Sequence, residues 1–199
     1  MCPEQLSNKG TDEGINETYG DNDMNLKLYW EKIIEYFEEE DWPLYEIDDE
    51  KRTAIAYIRG DNATFRVFVW LSELSKTLYI SWVSPNIGPA IRRHVIPDLL
   101  NRLNHRILMG KFVMDPEDGL LTFQIGVSVT GTRFSMGQFD SFMNSGIWTA
   151  DEHYPKFMYL IYGDRTVDEV LEGKEKTQLK LVEKTEEESE IFEDDGVSN

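Results

Sequence analysis

Three histidines, thirty-eight carboxylates and one cysteine are the groups with which this chain of 199 residues could do chemistry. His94 and His105 lie eleven residues apart. On an unbroken helix that spacing returns to one face, but at 1.5 Å rise per residue it separates them by about 16 Å, too far to share a metal. His153 has no partner that sequence can identify. Asp115-Pro116-Glu117-Asp118-Gly119 has the composition of a cation loop. Calcium loops spread their oxygen ligands over a longer segment and close with a bidentate Glu, whereas this stretch is short and has an apolar strand pattern on each side. A tight hairpin turn, with Gly119 supplying a positive φ, explains the same residues. Cys2 stands near a terminus with no base placed beside it. No Gly-rich phosphate loop ending in Lys-Ser or Lys-Thr occurs, no G-x-G-x-x-G and no G-x-S-x-G elbow. The residues therefore point to no catalytic, cofactor or metal site.

Two other groups remain. Arg92, Arg93, Arg102 and Arg106 form the one basic cluster, on a segment with helical spacing. They are positioned either to meet an acidic partner or to pair with the chain's own carboxylates, and the second is preferred. Phe68, Trp70, Tyr79, Trp82 and Trp148 exceed what one small core obviously needs. They fill a core beneath two helical layers or line a groove or dimer face, where aromatics are enriched. The candidate partner surface is thus Phe68, Trp70, Tyr79, Trp82, Arg92, Arg102 and Arg106.

The net charge is −18, of which residues 1–25 and 174–199 carry −5 each and residues 26–173 carry −8. Such a field repels phosphate backbones and anionic lipid, so neither nucleic acid nor membrane is expected as a partner. One cysteine allows no intramolecular disulfide. The start Met1-Cys2-Pro3-Glu4 lacks the basic and apolar regions of a secretory signal, and no apolar run approaches the ~20 residues needed to span a bilayer. A cytoplasmic location is expected.

Residues 1–25 are polar and acidic and are expected to be a disordered tail. Leu26, Tyr29, Trp30, Ile33, Ile34 and Phe37 then make one helical stripe, and Pro43 lies beyond its end. Thr53–Arg59, Thr64–Leu71 and Thr77–Val83 read as strands, with Gly60-Asp61-Asn62 as a hairpin turn. Their apolar residues on both faces suggest helices over one face and something else, such as a second subunit, near the other. Pro85 to Pro89 is expected to break the sheet. Ala90–Ile107 reads as a helix kinked or divided at Pro97. Lys111–Asp115 and Leu120–Val129 form a further hairpin. In its second strand Leu121, Phe123, Ile125, Val127 and Val129 alternate with Thr122, Gln124, Gly126 and Ser128. Gly137–Asn144 and a segment around Tyr154–Ile161 read as two helices, the second with Pro155 in its first turn and Gly163 at its cap. Thr166-Val167-Asp168-Glu169 is a capping box opening a last short helix that Gly173 closes. Residues 174–199 are expected to be an acidic, disordered tail. The order of elements predicts an α+β domain over residues 26–173, with a mainly antiparallel twisted sheet flanked by helices.

From Trp82 to Phe123 the pattern is specific enough to name. Pro85, Arg92 and Val95 are followed by Leu100, Leu103-Asn104, Gly110-Lys111-Phe112, Asp115-Pro116-Glu117-Asp118-Gly119 and Phe123. This resembles the YbjN family, in which a helix ends in a Leu-Asn pair and a Gly-x-Phe strand turns through an Asp-rich loop. Tyr154-Pro155 and Ile161-Tyr162-Gly163 resemble the family's ending, and Trp30 and Trp42 its beginning. The resemblance covers residues 26–173. It implies the type III secretion chaperone-like fold, often dimeric, and a label of sensory transduction regulator that carries no catalytic residues. Pro97 departs from the uninterrupted helix that the resemblance leads one to expect. The reading is a non-catalytic, protein-binding or chaperone-like regulatory module acting as a homodimer, with no cofactor. Its rivals are an enzyme assembled from scattered acids and histidines, and an acidic mimic that occupies a basic site on another protein.

Overall fold

The computed structural model describes residues 16–129 and 135–173. The tail expected over 174–199 and the first fifteen residues of the N-terminal one lie outside that range. Helix α1 (Asn16–Glu39) begins ten residues before Leu26, inside the stretch expected to be disordered. Strands β1 (Leu44–Asp48), β2 (Thr53–Arg59), β3 (Thr64–Ser72) and β4 (Thr77–Ile87) follow as a meander. Helix α2 (Ile96–Asn104), strands β5 (Lys111–Met114) and β6 (Leu120–Ser128), and helices α3 (Met136–Tyr162) and α4 (Val167–Glu172) complete the chain. The six strands lie in the order β1-β2-β3-β4-β6-β5, every neighbouring pair antiparallel. The expected α+β architecture is the one found. Among the described residues no helix is long and apolar enough to cross a membrane.

The helices pack on one face of the sheet. That face presents Ala54, Ala56 and Ile58 of β2, Phe65, Val67, Val69 and Leu71 of β3, and Leu78, Ile80 and Trp82 of β4, all buried. Phe112 of β5 and Leu121, Phe123 and Ile125 of β6 continue it. Trp30, Ile33 and Phe37 of α1, Leu99 and Leu103 of α2, and Phe139, Met143 and Phe157 of α3 close it from above. The ring of Phe139 meets Tyr36 and Phe37 edge-on at 5.0 and 6.3 Å, and Phe112 packs on Phe123 at 4.9 Å and on Phe157 at 5.1 Å.

Three prolines sit where the sequence reading did not place them. Pro85 lies inside β4 rather than ending it. The register of β4 against β6 shifts between Val83 and Ile87, and pairing with β3 stops at Val83. A residue without an N–H is tolerated at such a bulge on a locally unpaired edge. Pro97 does not interrupt a helix, because residues 90–95 are turns and α2 starts at Ile96. Pro97 occupies the first turn, where an N–H has no partner to lose. Pro155 lies within one continuous α3, not at the start of a second helix. It leaves the Asp151 carbonyl without its usual helical donor, and Asn62 Nδ2 donates to that carbonyl instead, at 3.1 Å.

The short edge strand β5 is closed by a side chain. Asn104, at the end of α2, accepts from the Phe112 N–H at 2.7 Å and donates to the Phe112 carbonyl at 3.0 Å, pairing with it as a neighbouring strand would. This gives the Leu103-Asn104 pair a physical role: Leu103 is core and Asn104 covers an edge. Asn104→Ala is expected to cost about 2 kcal/mol in urea unfolding, from two lost hydrogen bonds at roughly 1 kcal/mol each. Asn104→Asp, which keeps only the acceptor, is expected to fall between the two.

Candidate interaction surface

The second face of the sheet carries no described helix. Strand pairing fixes its rows. Glu46, Ile55, Phe68, Ser81, Gln124 and Lys111 stand side by side across the six strands. Asp48, Thr53, Trp70, Tyr79 and Gly126 form the next row. Tyr57, Arg66, Val83, Thr122 and Val113 form a third. Trp70 is 43% exposed, Tyr57 50% and Tyr45 74%, while Phe68 and Tyr79 are half-buried. Rings meet edge-on: Tyr45 and Tyr57 at 5.6 Å and 84°, Phe68 and Tyr79 at 6.4 Å and 62°. The smaller Ser81, Val83 and Thr122 are buried between these larger neighbours. The face is aromatic along its middle, with Glu46 and Asp48 at the β1 end and exposed Lys111 at the β5 end.

Of the residues expected to form a partner surface, Phe68, Trp70 and Tyr79 come together here. Trp82 does not: it is fully buried against Phe123 and α3, with an accessibility of 0%. It is in phase with Leu78 and Ile80, so alternation along β4 assigns it to the covered face. Arg92 is not on this surface either. Its guanidinium donates to the Leu160 carbonyl at 2.7 and 3.0 Å and to the Gly163 carbonyl at 3.1 Å, capping the end of α3. Arg93 likewise holds the Gly88, Glu117 and Asp118 carbonyls, which fixes the β5–β6 turn. The expected pairing with carboxylates holds for Arg102 alone, bound to Asp98 and Asp168. Arg102 and Arg106 line a separate groove between α2 and α4 with His105 and Glu172. Tyr45, Tyr57, Arg66 and Lys111 were missed, although strict alternation along β2 and β3 marks Tyr57 and Arg66.

The titratable groups do not converge on an active site. His94 and His105 are exposed, and His94 lies in the turns before α2, so the two share no helix. His153 is in mid-α3, where burial and then Lys156 hold its pKa below the usual histidine value. Its Nδ1 lies 3.1 Å from the Thr149 carbonyl. Tyr36 is raised above the ordinary tyrosine value, first by burial and then by its hydrogen bond to Asp140. Among the described residues no three His, Cys, Asp or Glu side chains gather closely enough to hold a metal ion. The acid-rich turn 115–119 is a hairpin: Asp115 and Asp118 carboxylates accept from the Glu117 and Leu120 amides, and Gly119 has φ +82°.

One buried carboxylate needs a separate account. Asp151 of α3 lies over the β2–β3 hairpin and accepts from the amides of Asp61, Asn62 and Ala63 at 2.9 to 3.2 Å. Asn62 Nδ2 adds a fourth donor at 3.0 Å. A shallow open cleft beside it is lined by Arg59, Asn144 and Trp148. The carboxylate is saturated by backbone donors, which makes it a clasp between helix and hairpin.

A family described as "Putative bacterial sensory transduction regulator", YbjN, has a model that matches residues 22–158. A solved structure described as "Crystal structure of YbjN, a putative transcription regulator from E. coli" is similar at 12% identity and a TM-score of 0.47. The alignment covers 67% of this chain and 90% of that one. No curated protein matches the sequence.

Proposed function

The chain belongs to the YbjN family, described as a regulator, and on that premise we propose a non-catalytic regulatory module that holds another polypeptide against the open face of its sheet. The observation that carries this is the row of Trp70 and Tyr79 beside Phe68, Tyr57 and Tyr45 on a face that no described helix covers. Aromatic side chains lose little entropy when they are fixed and bury large areas, which suits them to anchor a partner. The net charge of −18 disfavours nucleic acid and anionic membranes as that partner. With one cysteine and so no disulfide to form within the chain, the reading is compatible with the cytoplasm.

A photo-crosslinking residue placed at Tyr57 is expected to capture protein in living cells. The same group at Leu74, on the exposed β3–β4 turn, is expected to capture none. Trp70→Lys should abolish the Tyr57 adduct while the chain stays folded, at a cost of about 1 kcal/mol for the covered part of the indole. Equal capture from both positions, or capture that survives Trp70→Lys, overturns the reading.

A further inference from the structure

The open face has a hollow on its β6 side. Gly126 stands opposite Tyr79, and a Cβ built on it would meet nothing within 4 Å. Tyr79, Met109, Lys111 and Gln124 surround the gap, and the space between them is about 390 Å³. That is room for one aromatic side chain. Two cations flank the same stretch of sheet. Arg66 of β3 and Lys111 of β5 are exposed, and among the described residues neither side chain has an ion-pair or hydrogen-bond partner. The chain has 38 acids to 20 Lys and Arg, so partners are plentiful, yet the acids of this face, Glu46 and Asp48, stand apart on β1. Lys111 lies three strand spacings from Arg66, in the row of Phe68, two residues along β3. At about 4.8 Å between strands and about 3.4 Å per residue, the two positions are about 16 Å apart.

We propose that this hollow takes the chain's own Phe192, carried by the acidic residues 186–195, and that this segment competes with the foreign polypeptide for the open face. This rests on the reading that the face is a docking surface, and names what regulates it. Charge selects the segment. Beyond Gly173 the charges separate: all four lysines fall in residues 174–184, while residues 186–195 hold seven acids and no cation. Ile191-Phe192 is the apolar pair inside that acidic run, and Phe192 is the one aromatic residue beyond Gly173. The other apolar group, Leu179, Leu181 and Val182, is interleaved with Lys180 and followed by Lys184, which would set cations against Arg66 and Lys111. Spacing agrees. Glu188 and Glu193 are five residues apart, about 17 Å when extended. With Glu193 at Lys111 and Glu188 at Arg66, Phe192 falls beside Lys111, where the hollow is. The path is short as well. Glu172 shares a groove with His105 and Arg106, and the loop that continues from them carries Met109 to the hollow. Fifteen residues lead from Gly173 to Glu188, a reach of up to about 50 Å, several times the roughly 10 Å of a packed layer. Tethering favours this occupant. At an effective concentration of about 1 mM, a contact with a Kd of about 0.1 mM closes the face about nine-tenths of the time.

The experiment places a diazirine residue of methionine's size at Met109, on the rim of the hollow, in the purified full chain. Light should join it to the tryptic peptide 185–199 of the same chain, in an adduct that keeps the mass of one chain. Gly126→Leu fills the hollow, and its Cβ meets no other atom of the fold. Gly126→Leu and Phe192→Ser should each lower the yield about tenfold, and Leu181→Ser should leave it unchanged. Absence of this adduct, survival of the adduct in both Gly126→Leu and Phe192→Ser, or an adduct that joins two chains overturns the proposal. In cells, Phe192→Ser should raise capture at Tyr57 up to about tenfold, since it opens a face closed nine-tenths of the time. Capture that is present and equal in both chains overturns the competition. Capture at Tyr57 without the Met109 adduct overturns this occupant and leaves the docking reading standing. The adduct without any capture, even in Phe192→Ser, overturns the foreign partner and supports the segment as occupant.

Discussion

Gly146→Ala is expected to lower the unfolding free energy by about 2–4 kcal/mol, although alanine is the better helix former by about 1 kcal/mol. The reversal of sign comes from one contact. A Cβ at Gly146 would fall on the six-membered ring of Trp82, overlapping Cη2, Cζ2 and Cε2. Neither side can withdraw. Trp82 has 0% exposure and is packed on Phe123 at 5.9 Å, and Gly146 lies in the middle of the long α3. The cost appears as a shift of α3 away from β4, or as a displaced indole with the core around it repacked. Urea unfolding followed by Trp fluorescence measures it. The pairing of Gly146 with Trp82 is tested by Gly146→Ala in a Trp82→Phe background. There the smaller ring leaves room, and the alanine substitution should cost less than half of what it costs alone. Equal costs in both backgrounds would show that the helix, and not the indole, resists the methyl group.

Asp151→Ala is expected to be as damaging, at about 3–5 kcal/mol, because it strands several donors at once. The amides of Asp61, Asn62 and Ala63 turn inward to one carboxylate, and none of them has another acceptor in the hairpin. Asp151→Asn keeps an acceptor oxygen but sets an NH₂ against the same amides, and should recover less than half of the loss. Amide exchange supplies a local readout. The three amides should lose protection in Asp151→Ala while those of β6 keep theirs. The fit is close enough that Gly60 has no room for a side chain, since its Cβ would overlap the Asp151 carboxyl group. Pro155 belongs to the same clasp, because the carbonyl it frees is the one that Asn62 Nδ2 reaches.

Much of this fold is legible in the sequence where a local rule and the tertiary structure agree. The stripe from Leu26 to Phe37 is a helix face, and Leu26, Trp30, Ile33 and Phe37 are all buried. Gly60-Asp61-Asn62 turns a hairpin, and Thr166 with Glu169 forms the capping box expected of it. Failures fall where a residue's neighbours come from far along the chain. Pro85 reads as a breaker unless it is known that β3 has already ended beside Val83. Pro155 reads as a helix start unless Asn62 is known to take the freed carbonyl. Arg92 and Arg93 read as a charged surface, yet their partners are carbonyls of α3 and of the β5–β6 turn. Asp151 gave no signal, since a single acid in a helix says nothing of a hairpin some ninety residues away. The candidate surface was half visible. Phe68, Trp70 and Tyr79 follow from alternation, and the same alternation, applied to Trp82, would have placed it in the core.

The strand order also has a kinetic consequence. From β1 to β4 each strand pairs with its successor in the chain, so every closure in that half spans a short turn. β6 must instead find β4 across the whole of α2 and β5, a far longer loop whose ends meet at a greater entropic cost. The meander therefore assembles early and offers its edge at β4 as a template. By the same reasoning the β5–β6 hairpin docks after the meander, because its pairing with β4 closes the longest loop of the sheet. Until it docks, the β4 edge is open to strands of other molecules, so the rate of that one step governs how cleanly the chain folds at high concentration.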